Sequence, residues 1–181
     1  VRREELPKIE DPITYPKSIV TLTDLGLSRT IDPENPLLTT RCGSEAYAAP
    51  EIILSQPYDG RQTDAWALGV FLFTLMELRI PFDPPPPRPG YRVRSRGRQA
   101  HRIARNEWAW YRFGDDDGEW DPARGAGWEQ SREVVEGLLK KVNKGRLTLD
   151  EVANLPYVKE GINVPGGIKR GYEDDEDVMI E

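Results

Sequence analysis

Three short stretches of this chain carry residues that can do chemistry. Asp24 opens an Asp-Leu-Gly step in which Leu25 is followed by Gly26, and the glycine lets the backbone turn sharply after a β-branched run. A carboxylate at such a turn offers the hard oxygen that Mg²⁺ prefers, although a lone step of this kind is more often an ordinary Asx-turn. The second stretch is CGSEAYAAPE, residues 42–51, and the third is DAWALG, residues 64–69, with a basic partner far downstream at Arg146 in KGRLTLDEV. The one histidine, His101, leaves a Ser-His-Asp triad dependent on that single residue. The one cysteine, Cys42, excludes an internal disulfide framework and a Cys-rich zinc site.

These stretches must be positioned by a chain of 181 residues with 38% hydrophobic and 31% charged residues, enough for one ordinary domain or a piece of a larger one. Sixteen prolines and sixteen glycines predict long irregular connections. The net charge of −6 argues against a surface that binds nucleic acid or anionic membrane throughout. Residues 1–17 read as an extended surface loop and SIVTLT, residues 18–23, as a short strand ending at Asp24. From Leu27 to Arg41 a polar loop is broken by Pro33 and Pro36. Pro50 can open a short helix. Thr63 is the expected cap of a helix over 64–78, apolar nearly all round and therefore buried, in which Gly69 predicts close packing against a neighbour. The apolar run from Ala65 to Met76 is too short to span a bilayer. No signal peptide opens the chain, so an intracellular compartment, cytoplasmic or nuclear, is the expectation. PFDPPPPRPG reads as an extended run able to dock an SH3 or WW domain. Residues 88–105 hold seven arginines and no acid, and residues 115–121 hold five acids and no base. EVVEGLLKKV, residues 133–142, has a helical stripe at 134, 135, 138, 139 and 142. Thr148 and Glu151 form a capping-box pattern before the last helix, LDEVANL. From Gly161 the chain reads as an acidic, disordered tail.

Taken in order, the chemical stretches resemble the eukaryotic protein kinase family, Ser/Thr type, over roughly residues 18–158. Asp24-Leu25-Gly26 is similar to the metal-binding Asp-Phe-Gly motif, and Leu25 keeps the apolar plug. Residues 42–51 are similar to the segment that closes the activation loop with Ala49-Pro50-Glu51. Asp64, Trp66 and Gly69 match the start of the large central helix, and GRLTLDEVANLPYV resembles the terminal helix with its closing Pro-aromatic pair. The resemblance implies a mostly α kinase C-lobe with a short β-hairpin or strand carrying the Asp-Leu-Gly motif and no N-lobe. It implies an activation segment over 24–51, the central helix over 64–78, an insertion over 84–125 and terminal helices over 131–158, within a partial lobe over 18–160. Asp24 would bind the Mg²⁺ that bridges ATP phosphates. Gly43, Ser44 and Tyr47 would position the substrate peptide, with Ser44 marking Ser or Thr acceptors. Thr40, with Thr39 beside it, falls at the usual activation phosphosite, where a phosphate adds roughly −1.5 to −2 charge. Glu51 and Arg146 match a buried ion pair, and Asp64 matches the residue that braces the catalytic loop.

The departures from the family matter as much. The chain has no Gly-rich loop, no Val-Ala-Ile-Lys strand and no His-Arg-Asp catalytic loop, and His101 lies well after Asp24. All of these belong upstream, so truncation before Val1 is the expectation. No catalytic residue is then present, and the catalytic Asp is expected upstream of Val1. The chain alone is expected to lack kinase activity and to bind ATP and Mg²⁺ weakly or not at all. Protein substrates with Ser or Thr acceptors are the implied partners, with no membrane. The rival is a kinase-like protein-binding module without catalysis, though a pure scaffold has no use for Asp24. A further rival takes the arginines with Tyr91, Trp108, Trp110 and Tyr111 as a single-stranded nucleic-acid surface. The kinase frame disfavours it and makes that segment a solvated insertion.

Overall fold

The structure is a computed structural model that describes residues 23–84 and 98–162. The chain divides into two compact units, one of Gly26–Val152 and one of Val1–Leu25 with Ala153–Glu181. The expected strand over 18–23, apart from Thr23, and the run from Pro85 to Gly97 lie outside the described residues, as does the tail beyond Ile162.

Asp24 lies in the smaller unit, exposed and with φ of 60°, at the start of a 3₁₀ turn over Leu25–Leu27. In the larger unit the chain forms β1 (Leu37–Leu38), a 3₁₀ turn over Glu45–Tyr47, α1 (Pro50–Ile53), β2 (Tyr58–Asp59) and α2 (Gly60–Glu77). It continues with α3 (Gln99–Arg105), α4 (Glu129–Leu138) and the first turns of α5 (Leu149–Asn154). α6 (Pro156–Ile162) lies in the smaller unit. The fold is mostly helical, as expected. A strand pair that the sequence did not announce joins β1 and β2 antiparallel, Leu37 opposite Asp59 and Leu38 opposite Tyr58. Two-residue strands are too short to show a period, and the proline-broken loop hid the first of them.

α2 starts four residues before the expected position. Asp59, not Thr63, is its cap: Arg61 donates its backbone N–H to the Asp59 side chain at 3.0 Å, and the Arg61 guanidinium closes a fork on the same carboxylate. Thr63 instead donates its hydroxyl to the Gly60 carbonyl at 2.9 Å. At the other end Leu78 takes a left-handed conformation, φ 58°, and its N–H returns to the Thr74 carbonyl. Buried side chains line one face of the helix, from Ala65 and Trp66 through Val70 and Phe73 to Met76, while Phe71 and Leu75 on the opposite face are 40% and 57% exposed, so the helix is not buried all round as its composition predicts. The neighbour for which Gly69 makes room is α4: a Cβ there would sit 2.8 Å from Leu138 Cβ and 3.0 Å from a Leu139 methyl.

The α4 stripe buries Val134, Val135, Leu138 and Leu139, but the helix ends at Leu138 and Val142 lies outside it, 65% exposed. The terminal helices expected over 131–158 are therefore three separate segments. At α5 the capping box is closed on both sides: Glu151 N–H to Thr148 Oγ1 at 3.1 Å and Thr148 N–H to Glu151 Oε2 at 2.8 Å.

The segment taken for a solvated insertion is core over its second half. Trp110, Tyr111 and Phe113 are buried. Phe73 meets Trp110 at 5.2 Å and Trp108 edge-on at 5.5 Å, and Trp110 meets Trp120 at 5.0 Å. Buried rings cannot serve as a stacking surface for bases. Arg102 of α3 is buried too. The Asp115 side chain accepts the N–H groups of Asp117 and Glu119, and Asp121 pairs with Arg124 at 3.3 Å.

Candidate functional site

The decisive anchor of the site is Arg146. Its Nη1 donates to Glu51 Oε1 at 2.8 Å and to the Gln62 carbonyl at 2.8 Å. Nη2 donates to Glu51 Oε2 at 3.1 Å and to the Lys140 carbonyl at 3.0 Å, and Nε reaches the same carbonyl at 3.1 Å. Every guanidinium donor is thereby used. The side chain is wholly buried, lies 5.1 Å from the Trp66 ring centroid, and fixes the end of the 42–51 segment against α2. Pairing of this completeness is what allows two charges to sit out of water.

In front of that anchor the chain makes tight backbone turns. Gly43 has φ of 92°, a conformation a side chain would strain. Ser44 precedes the 3₁₀ turn; its carbonyl accepts from Tyr47 N–H at 3.1 Å, while its hydroxyl makes no capping bond. Ala49 is buried and extended, and Pro50 occupies the first turn of α1. Thr39 and Thr40 are exposed, and the Thr40 carbonyl accepts the Tyr58 hydroxyl at 2.6 Å, which ties the loop to β2. Burial, helped by Cys42, pushes the Tyr58 phenol above its ordinary pKa.

Gly43, Ser44, Tyr47 and Asp64 line one cavity of about 340 Å³ with Cys42 and Arg29. Asp64 is exposed, yet partial desolvation by the surrounding protein raises its carboxyl above its ordinary value. Thr39, Thr40, Glu51 and Arg146 stand outside this lining, the last two behind it. Gly26 is not in this lining, and Asp24 and Leu25 belong to the other unit. Among the described residues no group of three His, Cys, Asp or Glu could hold a metal. By itself the Asp24 carboxylate could offer Mg²⁺ only one oxygen ligand, and such an ion would keep waters and phosphate oxygens in the rest of its shell. No helix among the described residues is long and apolar enough to cross a membrane.

Residues 13–158 match the protein kinase domain family. The chain belongs to the protein kinase family. Its relatives include the serine/threonine-protein kinase PRR1 of Saccharomyces cerevisiae, 41% identical over 150 residues, which is 83% of this chain and 26% of that one. They also include the serine/threonine-protein kinase ppk27 of Schizosaccharomyces pombe, 38% identical over 97 residues, covering 54% of this chain and 23% of that one. The mouse testis-specific serine/threonine-protein kinase 5 is 40% identical over 75 residues, 41% of this chain and 20% of that one. The match thus spans a fifth to about a quarter of the length of these three kinases.

Two kinase residues with structural weight escaped the sequence. Tyr58 looked like turn chemistry in SQPYDG, and only its distant bond to Thr40 gives it a role. Glu77 is buried and accepts the N–H groups of Tyr111, Arg112 and Phe113 at 2.8–3.1 Å, pinning the aromatic segment to the end of α2. A signal existed: an acid in the last turn of a helix opposes the helix dipole, so its presence there marks another task.

Proposed function

We propose that this chain is part of a Ser/Thr protein kinase that transfers the γ-phosphoryl group of ATP to protein hydroxyls. On this reading residues 18–160 are a partial C-lobe that supplies one metal ligand and the peptide-positioning segment. Asp24 holds Mg²⁺, whose charge offsets that of the phosphate oxygens. Gly43, Ser44 and Tyr47 shape the surface that receives the acceptor peptide, and the Ser44 hydroxyl, left without a capping bond, is free for a partner beyond the described residues. Asp64 braces the catalytic loop, and phosphorylation of Thr40, or of Thr39 beside it, would stiffen the segment by adding charge for arginine to bind. The observation that carries the reading is the kinase match over residues 13–158, which takes in Asp24, the 42–51 segment, the α2 start and Arg146 in one run.

The 181 residues contain no Gly-rich phosphate loop, no partner lysine strand and no His-Arg-Asp loop, so this chain alone has no base for the acceptor hydroxyl and no grip on the phosphates. Phosphoryl transfer depends on such positioning. The test is incorporation of labelled phosphate from ATP into a Ser/Thr peptide library by the full-length parent and by this chain. The parent is expected to be active, to lose at least about a hundredfold with Asp24→Ala, and to leave a Tyr-only library unlabelled; the chain alone gives no incorporation. A parent whose rate is untouched by Asp24→Ala, or that transfers nothing, would instead be a kinase-derived protein-binding module.

A further inference from the structure

On the larger unit, a second hollow of about 380 Å³ lies between the end of α1 and the turn after α4. Its walls are Leu54 and Pro57 on one side and Lys141 and Val142 on the other. Leu54 is 47% exposed and Val142 65%, two aliphatic side chains held toward water with no structural task visible in the fold. Lys140, Lys141 and Lys144 are exposed, and none forms an ion pair among the described residues. The one acid in the lining, Glu51, is already neutralised by Arg146. Lys141 lines the groove, and Lys140 and Lys144 adjoin its lining residues Lys141 and Asn143 in sequence, so the hollow has aliphatic walls with positive charge on one side, on a chain whose net charge is −6.

We propose that this groove docks a short acidic segment of a partner protein through an aliphatic anchor. The anchor sits against Leu54, Pro57 and Val142, and flanking carboxylates meet the three lysines. Both walls are fixed before binding. On one side Leu54 N–H reaches the Pro50 carbonyl and Gln56 N–H the Glu51 carbonyl, each at 2.9 Å. On the other, the Lys140 carbonyl is held by Arg146, and Gly145 N–H reaches the Val142 carbonyl at 3.0 Å. Since Arg146 also holds Glu51 of α1, one guanidinium sets the width of the groove. A preformed groove spares the ordering cost that weakens most peptide recognition. Nucleic acid is a poorer match, because no aromatic ring lines the hollow for a base to stack on. A second copy meeting this face symmetrically would set lysines against lysines.

The test is fluorescence anisotropy with the whole chain and a labelled synthetic peptide of two leucines flanked by glutamates. Saturable binding is expected, weakened roughly tenfold or more by the pair Lys141→Glu and Lys144→Glu. Leu54→Ser should weaken it comparably with every lysine in place, and added salt should weaken it further. Circular dichroism verifies that each variant is folded; if the lysine pair is not, Leu54→Ser decides. The proposal is overturned if the peptide does not bind, or if the same peptide with serines for leucines binds as well. Tighter binding of a single-stranded RNA than of the peptide would overturn it too. None of these outcomes bears on phosphoryl transfer, which is read by a separate assay.

Discussion

The loop from Gly26 to Ala48 and the base built on α2 and α4 are held by different forces. No residue from 26 to 48 is buried; the loop keeps its course through a two-residue strand pair, a 3₁₀ turn and the bond from Tyr58 to Thr40. The base buries Trp66, Val70, Phe73, Phe82, Val135 and Leu138 completely. The candidate peptide-positioning residues thus sit in a thin, exposed layer, and stability is stored below it. Segments that must rearrange around a ligand come from the weakly held end of a structure. Just past the loop, the Glu51–Arg146 pair fastens α1 to the base.

The strongest test of that division removes the join. Arg146→Met leaves Glu51 buried without its cation and frees two backbone carbonyls, and the expected loss is about 3–5 kcal/mol in urea unfolding. Adding Glu51→Met should recover much of it, since an apolar pair of similar volume avoids the stranded charge. If the single change costs less than 1 kcal/mol (an effect the size of a surface pair), the loop end is not bolted to the base in the way its geometry indicates.

Gly69→Ala probes the base alone. Alanine is the better helix former by about 1 kcal/mol, yet its methyl would meet Leu138 Cβ at 2.8 Å. Overpacking of this kind costs about 1–3 kcal/mol, so net destabilisation is expected. A gain in stability would mean that α2 and α4 can separate freely. In the loop, Ser44→Ala removes an exposed hydroxyl with no capping bond and should change stability by no more than about 0.5 kcal/mol.

The same contrast explains what the sequence revealed. α2 was legible as a helix because a long apolar run of this length leaves few alternatives; that it exposes Phe71 and Leu75 on one face was not. Its start was not, because Tyr58-Asp59-Gly60 reads as a turn, and only the fold makes Asp59 a cap and Tyr58 a strand residue. The stripe of α4 was legible up to Leu139. Val142 fits the same period, but Arg146 captures the Lys140 carbonyl and the chain leaves the helix there. The motif residues Gly43, Ser44, Tyr47 and Asp64 could be picked from local pattern. Their shared cavity could not, because Ile31, Leu38 and Tyr58, which complete its lining, are placed by contacts distant in sequence. The aromatic segment was misread for a related reason: arginines around it suggested water, and the one local hint, an acid ending α2, does not say which backbone it holds.

Asp64 supplies the smallest expected effect, and one of opposite sign. Desolvation raises its carboxyl in the folded chain above the unfolded value of 3.8. The folded state then holds the proton more tightly than the unfolded state, so stability falls as pH rises from that value through the raised one. At neutral pH the charged form is a slight burden, partly relieved by the exposure of the residue. Asp64→Asn is nearly isosteric and cannot ionise. It should raise the unfolding midpoint slightly at pH 7, leave it unchanged well below pH 3.8, and flatten the slope between. A core residue replaced by a polar isostere would lose stability at every pH. A gain at neutral pH would show that the Asp64 carboxylate is carried at some cost to the fold. A drop in the midpoint at pH 7 would instead make Asp64 part of the base.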